Sequence, residues 1–458
     1  MKTAIVSAAT GTYARDLVRS GVLARLLRAG VRCVVVSPAY ADDRFRLELE
    51  GIGAIVEPML PYRMGAVEGF GVASRRSVLA HRDHVGSLKT IIAPRKLSDW
   101  PRHLLLRAIA HGPGRMIGFR RWLERLEFDA VRLIPSYLDL LDKYQVSAIV
   151  TGSPGYNPLE RPLLKAARIQ NIPILCAVSS WDNLTGKGAM LVIPDELLVW
   201  NPIMQEEAIR YHGLPRDRVT IVGVPQFDRY VDSNLVLPRT QFARSLGFKP
   251  EQRLITYATS PQTISDQSVH FINVLLKGVQ AQRWGDSILL VRVHQRDTRE
   301  LYDQLKGQPR VLVDLSGRTS EHMDWDPNEA DLVRLASTMA HSDVVINIAS
   351  TITIDAACFD TPSINIYYDG PVKKKYVDST RRYYDYVHYH RLVTSGGVAL
   401  VRSDEELLKA VDRYLGDREL DSAGRRRIVD QIAWRLDGQA SYRIAGRLLE
   451  AIDKRHTG

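Results

Sequence analysis

Short β-rich apolar runs alternate with amphipathic helical runs along nearly the whole chain, and this restricts the fold more than any other feature. Parallel neighbours in a sheet need a crossover long enough to hold a helix, so such alternation implies a parallel sheet covered on both faces. In the first half Thr3–Ala8, Arg32–Ser37, Ala54–Val56, Ala148–Val150, Ile174–Val178, Leu197–Val199 and Val219–Val222 read as strands. Asp16–Arg28, Phe45–Glu50, Ala130–Lys143, Arg161–Gln170 and Ile203–Tyr211 read as helices, the last closed by Gly213 and Pro215. The pattern restarts after a polar link at Asp232–Pro238, with strands at Leu254–Tyr257, Ser287–Arg292, Val311–Val313, Val344–Ile348 and Ser363–Tyr367. The expectation is an α/β chain of two Rossmann-like domains facing a cleft, spanning 1–233 and 234–438. A final helix within 439–458 is expected to return to the first domain. A length of 458 residues lets each domain bury its own core.

Several classes of protein fall away. The longest apolar runs, such as Cys33–Val36 and Val344–Ile348, are too short to span a bilayer. Met1–Ser7 has one basic residue and leads into no long apolar stretch, unlike a secretory signal. Cys33, Cys176 and Cys358 are widely spaced in apolar surroundings and fit buried thiols in a reducing compartment. A cytoplasmic chain, peripheral at the inner face of the membrane, is expected. The net charge of +10 suits nucleic acid, an anionic membrane or anionic small substrates. Between Ile92 and Arg125 eight cations (Arg95, Lys96, Arg102, Arg107, Arg115, Arg120, Arg121, Arg125) face only Asp99 and Glu124. Trp100, Leu104–Leu106, Ile109, Met116, Ile117, Phe119 and Trp122 interleave with them. This stretch is a candidate contact with an anionic membrane, where lipid-linked acceptors reside. Pro101 and Pro113 break any long amphipathic helix, so a solvated basic helix pair is the alternative.

Three strand-end loops of the second half carry the chemistry. Asp343 through Ala357 runs from an apolar strand through Ser350-Thr351 into a helix. Ser350 is placed to cap that helix and leave its first N–H groups facing the cleft, where unpaired donors and the helix dipole attract an anion. Thr351 adds a hydroxyl, and a plain N-cap is the alternative. Leu289–Arg296 ends a strand in His294 and Arg296, which suit a diphosphate leaving group that gathers charge as its bond breaks. A loop histidine beside a solvated arginine would look the same. Ala258–Gln262 brings Thr259 and Ser260 to a third strand end. Their convergence points to a nucleotide-diphosphate pocket.

Elsewhere the signals are weaker. Thr10–Asp16 follows the first strand but lacks G-x-G-x-x-G, which argues against NAD or FAD. Thr151–Asn157 and Ser179–Gly188 are further strand-end loops. Asp182 suits a general base that takes a proton from an acceptor hydroxyl, although aspartate in a Gly-rich loop is also a common turn former. Asp324-Trp325-Asp326 is similar to the metal-holding Asp-x-Asp of some sugar transferases. Asp326-Pro327-Asn328-Glu329 reads better as N-cap, first-turn proline and capping-box glutamate. With no cluster at ligand spacing, neither a metal nor a cofactor is expected. Lys373–Arg391 is basic and holds Tyr376, Tyr383, Tyr384, Tyr386 and Tyr389 with His388 and His390. It suits sugars or phosphates, or covers a flank, ahead of nucleic acid, for which no motif is present.

Ser342–Asp355, followed by Asp360–Asn365, resembles the donor-binding segment of two-domain GT-B transferases. The resemblance is nearest to the CDP-glycerol glycerophosphotransferase and capsule or surface-polysaccharide transferase group. Tyr211–Asp228 is similar to the segment closing the first domain in that group, and to its counterpart in non-hydrolysing UDP-sugar 2-epimerases. Asp437–Ile444 resembles the group's Asp-Gly-x-Ala-Ser-x-Arg-Ile ending. The resemblance implies that His294, Ser350, Thr351 and Asp355 surround the donor phosphates. The group's N-terminal catalytic histidine has no motif-defined counterpart among His81, His84, His103 and His111.

On that ground the expected reaction is metal-independent glycosyl transfer from a nucleotide-diphosphate sugar to a hydroxyl of a surface glycan or lipid-linked acceptor. The second domain would bind the donor through Thr259, Ser260, Arg296, Ser350, Thr351 and Asp355, with Asp182 and His294 as catalytic groups. The first domain would bind the acceptor. A nucleotide-sugar 2-epimerase and a CDP-glycerol-type glycerophosphotransferase are the alternatives. A non-catalytic nucleic-acid binder is a third, and nucleic acid is not expected as a partner.

Overall fold

The computed structural model describes residues 2–83, 85–232, 235–319, 322–323 and 325–457, with backbone alone at 456–457. By its internal contacts the chain divides into a first unit of Met1–Gln226, Ser320–Met323 and Gln439–Gly458, and a second of Phe227–Thr319 and Asp324–Gly438. Residues 233 and 234, where the sequence places the domain boundary, lie outside the described residues, as do His84 and Asp324.

In the first unit β1 (Thr3–Ser7), β2 (Arg32–Ser37), β3 (Ile55–Pro58), β4 (Ala148–Thr151), β5 (Ile174–Ala177), β6 (Glu196–Val199) and β7 (Val219–Ile221) form a seven-stranded sheet. Its order is β3-β2-β1-β4-β5-β6-β7 and its pairings are parallel. Alternate residues enter different cores: Ala4, Val6, Cys33 and Val35 on one face, Ile5, Val34, Val36 and Ile149 on the other. Both faces are therefore dry, which explains strands that read as continuous apolar runs. The helix Ala440–Thr457 places Ile444, Ala445, Leu448 and Ile452 in the first of these cores.

Two helices differ from expectation. Asp16–Arg28 is not continuous: a π-turn over Ala14–Val18 is followed by Gly21 at φ +100°, and a helix resumes at Val22–Arg28. Ala130–Lys143 is likewise broken. One helix spans Ile117–Ala130, Ile134 is extended, and Pro135 opens the next, Pro135–Lys143. A residue before proline is pushed out of the helical region, and the ring suits a first helical turn.

In the second unit β8 (Arg253–Ala258), β9 (Ser287–Val293), β10 (Val311–Leu315), β11 (Val344–Asn347), β12 (Ser363–Ile366) and β13 (Val398–Val401) form a parallel sheet ordered β10-β9-β8-β11-β12-β13. β13 was not expected from the sequence. It is a four-residue edge strand behind Gly396-Gly397, largely half-buried, so it lacks the dry run of the others. Strand order reverses between β8 and β11, which makes their carboxyl ends the topological switch point where open α/β sheets bind ligands. Asp326 does not cap a helix: the cap of Glu329–His341 is Asn328, in a capping box with Asp331. Asp326 is buried and ion-paired with Arg318 at 2.5 Å, and an acid so engaged is not available as a cap.

Candidate functional site at the carboxyl edge of the second sheet

The β8, β9 and β11 turns meet at this switch point. The Thr259 hydroxyl accepts from the His294 N–H (3.0 Å) and donates to Asp297 Oδ2 (2.7 Å). Ser260 donates to the Ile348 carbonyl (3.3 Å). Both residues are buried, so these hydroxyls, expected as ligand donors, instead fasten the three turns to one another. His294 is half-buried, and its Nδ1 accepts from the Arg296 N–H at 3.1 Å. In the neutral ring the proton then sits on Nε2, which makes that nitrogen a donor. The Arg296 residue is exposed.

The turn after β11 is strained and tightly fastened. Ala349 adopts φ +40°, a left-handed conformation that costs a non-glycine residue about 1 kcal/mol or more. Its N–H donates to the Tyr384 hydroxyl (2.9 Å), that of Ser350 to Asn347 Oδ1 (3.1 Å), and that of Ile352 to Ser350 Oγ (3.3 Å). The expected row of unpaired N–H groups is thus largely closed by side chains. The helix is short, Ile352–Cys358, and its N-cap is Thr351 rather than Ser350. What the turn offers a ligand is the pair of half-buried hydroxyls on Ser350 and Thr351. Beneath it Thr353, Asn347, Asn365 and Tyr389 share a buried hydrogen-bond network. Asp355 is buried, and its Oδ1 accepts from the Tyr230 hydroxyl at 2.5 Å.

The segment that covers this edge lies within Lys373–Arg391, the basic, tyrosine-rich run that the sequence assigns to sugars, phosphates or the cover of a flank. Asp369, just beyond β12, accepts from Ser379 Oγ (2.6 Å) and the Thr380 N–H (2.8 Å). Three residues on, Tyr383 reaches the Thr263 carbonyl in the β8 loop (3.5 Å), and Tyr384 holds Ala349. Tyr384, Tyr386 and Tyr389 are buried, so most of the tyrosine run closes a flank and only part of it remains for a ligand. Its basic, tyrosine-rich composition was the available signal, but composition does not say which cation turns inward.

In the first unit Asp182 precedes the turn Asn183–Gly186. Its carbonyl accepts from the Gly186 N–H (2.7 Å), and its carboxylate lies 3.4 Å from Lys187 Nζ. Three of the dispersed histidines come together: His81 lies 6.2 Å from His103 and 5.3 Å from His111, ring centre to ring centre. Burial lowers the pKa of His81. His212 is bonded through Nε2 to the Leu184 carbonyl (2.8 Å), and burial pushes it down to about 4, so it is neutral. Cys33 and Cys176 are buried and Cys358 is half-buried.

Two parallel α/β sheets with a polar switch-point edge on the second define a GT-B-type chain. Solved structures agree on the fold. S. aureus MnaA bound to UDP is 11% identical with a TM-score of 0.58, covering 99% of this chain and 97% of that one. The Neisseria meningitidis UDP-GlcNAc 2-epimerase bound to UDP-GlcNAc is 13% identical, with a TM-score of 0.55 over 98% and 100%. CalG4, the calicheamicin glycosyltransferase, is 12% identical, with a TM-score of 0.52 over 99% and 98%. A search of curated sequences finds no match. The model of the CDP-glycerol:poly(glycerophosphate) glycerophosphotransferase family matches residues 189–450, more than half of the chain. The chain belongs to that family. It is an enzyme of the GT-B transferase group, moving a group from a nucleotide-activated donor to a polymer acceptor. The family moves glycerophosphate, so the sugar expected from the sequence gives way to the alternative stated beside it. Among the described residues, no helix is long and apolar enough to cross a membrane.

Proposed function

We propose that this chain transfers glycerol phosphate from CDP-glycerol to a hydroxyl of a poly(glycerol phosphate) acceptor. The family match carries the proposal, because residues 189–450 include the whole carboxyl edge of the second sheet with His294, Ser350, Thr351 and Asp355. In this reaction the acceptor oxygen attacks the phosphorus that bears glycerol. The bond from that phosphorus to the bridging oxygen breaks, and CMP leaves with the electron pair. Charge builds on phosphoryl oxygens, so fixed donors aimed at them are the main catalytic need. His294 Nε2–H and the hydroxyls of Ser350 and Thr351 fill that role. Asp182 is the group assigned to take the acceptor proton.

The acceptor is assigned to the first unit. There a cavity of about 290 Å³ carries Arg75, Arg82, Arg120 and Arg210 on its wall, and guanidinium groups suit a polymer with a phosphate in every repeat. The helices Trp100–His111 and Ile117–Ala130 are assigned to an anionic membrane. Trp100, Leu104, Leu105, Ile117 and Trp122 are exposed on them, beside Arg102, Arg107 and Arg121.

The test is to incubate the enzyme with CDP-glycerol and a glycerol-phosphate oligomer and identify the nucleotide released. CMP is expected, with acceptor growth, and a His294→Gln variant is expected to lose about 100-fold or more in rate. Nucleoside diphosphate released from a sugar donor, without CMP from CDP-glycerol, would overturn the proposal. Acceptor-independent isomerisation of a UDP-sugar would make the chain an epimerase.

A further inference from the structure

Arg382 lies in the segment that covers the second sheet's carboxyl edge, and its side chain is 4% exposed. One of its terminal nitrogens donates to the Tyr383 hydroxyl (2.6 Å), and the guanidinium carbon lies 4.6 Å from the centre of that ring. Its Nε and its other terminal nitrogen have no hydrogen-bond partner, and among the described residues no carboxylate pairs with it. A buried charge without a partner is among the costliest arrangements in a protein, and native chains pair such groups or use them. The other buried arginines show the usual solution. Arg425 is held by Asp360 at 2.6 Å and by two carbonyls, and Arg292 is paired with Asp314.

The place of Arg382 follows from the anchors on either side of it. Ser379 and Thr380 are tied to Asp369 beyond β12, Tyr383 to the β8 loop, and Tyr384 to the β11 turn. The guanidinium is therefore carried by a segment pinned to three strand ends around the switch point. Planar guanidinium groups offer a fork of N–H donors that matches phosphate oxygens. We infer that Arg382 is the fixed cation of the donor site and binds the diphosphate of the nucleotide. The inference rests on the nucleotide-donor reading of this edge, and it adds a residue that the histidine and hydroxyl motifs do not contain. The chain keeps an unpaired charge here because its counter-ion arrives with the substrate.

The experiment compares thermal unfolding of the wild type and the R382M and R382K variants, each alone and titrated with CDP, inorganic pyrophosphate and cytidine. CDP and pyrophosphate are expected to stabilise the wild type and to bind R382M about 10- to 100-fold more weakly, with R382K between. Any effect of cytidine, which has no phosphate, is expected to be the same in all three. Unliganded R382M is expected to be at least as stable as the wild type, since an unpaired charge has been removed. Equal CDP and pyrophosphate affinities in wild type and R382M would overturn the inference while leaving the CDP-glycerol reading intact. An Arg382-dependent response to pyrophosphate without any response to CDP would uphold the inference and remove that reading. Failure of every diphosphate to stabilise the wild type would sink both. An R382M protein that unfolds without ligand would make the arginine a structural strut and also overturn the inference.

Discussion

The two sheets have the same kind of edge and spend their hydroxyls there differently. In the first, the switch point lies between β1 and β4, and the hydroxyls at their ends all turn to one buried carboxyl group. Ser7 Oγ donates to Glu160 Oε1 (2.5 Å), Ser153 Oγ to Oε2 (2.7 Å), and Thr151 Oγ1 also reaches Oε1. That edge is satisfied from within, its hydroxyl donors spent on the carboxyl group. In the second, Thr259 and Ser260 are spent on fastening the turns, but Ser350, Thr351, His294 and Arg382 leave a positive, donor-rich edge. One topology therefore serves as scaffold in one unit and, on the proposed function, as anion site in the other. Which role a sheet takes is decided by the few residues beyond its strand ends.

The largest expected effect tests whether buried charge in the first unit is structural. Arg161 is 3% exposed; its Nε lies 2.5 Å from Glu68 and a terminal nitrogen 2.5 Å from Glu127. Glu127 is also paired with Arg75 at 2.7 Å. Removing Arg161 strands Glu68 in a dry core, so Arg161→Met is expected to cost about 3–5 kcal/mol in denaturant unfolding. The same change at Arg382 costs nothing on the argument above. If the two variants lost equal stability, the distinction between a matched and an unmatched arginine would fail.

The sequence made the fold legible because continuous apolar runs bounded by turns leave a parallel sheet little alternative, and among the described residues only β13 was not placed from it. Where it failed, the cause was local. Pro135 and Gly21 cut helices whose apolar periodicity ran on past them, and β13 is an edge strand too exposed to show a dry run. For the site, strand-end position was readable at Ser350, Thr351 and His294. The spending of Thr259 and Ser260 on internal bonds was not, because it depends on distances between turns far apart in sequence. Arg382 stayed hidden for the same reason. It is one of many cations in a basic run, and only the fold shows that it is buried without an acid.

A smaller effect separates the two edges by pH. Burial pushes the Glu160 carboxyl up to about 7, against the three hydroxyl bonds that lower it. The folded chain therefore keeps this proton up to about pH 7, whereas the unfolded chain releases it near 4.5. Between those values folding takes up a proton, so rising pH weakens the fold through this group, by up to about 1.4 kcal/mol per pH unit. Glu160→Gln is expected to flatten the stability–pH curve from 4.5 to 7 and leave it unchanged in shape below. Parallel curves for the two proteins would mean that the carboxyl is ionised in the fold and the first edge is anionic across this range.

The smallest effect concerns where the first unit puts its exposed cations. Arg161 is buried and paired, while Arg102, Arg107 and Arg121 stand exposed among Trp100, Leu104, Leu105 and Trp122. Cations near an anionic bilayer contribute about 1 kcal/mol each, and apolar side chains enter the interface without regard to salt. Flotation with vesicles containing anionic lipid is expected to recover the wild type, with less bound as salt rises. Each Arg→Gln change at these three positions should lower partitioning about fivefold, and Trp122→Ala should lower it equally at low and high salt. Binding that ignores all four substitutions would move the membrane contact elsewhere. It would also leave the exposed charge of the helices Trp100–His111 and Ile117–Ala130 as a solvated surface, unlike the charge proposed to bind the donor at the second sheet's edge.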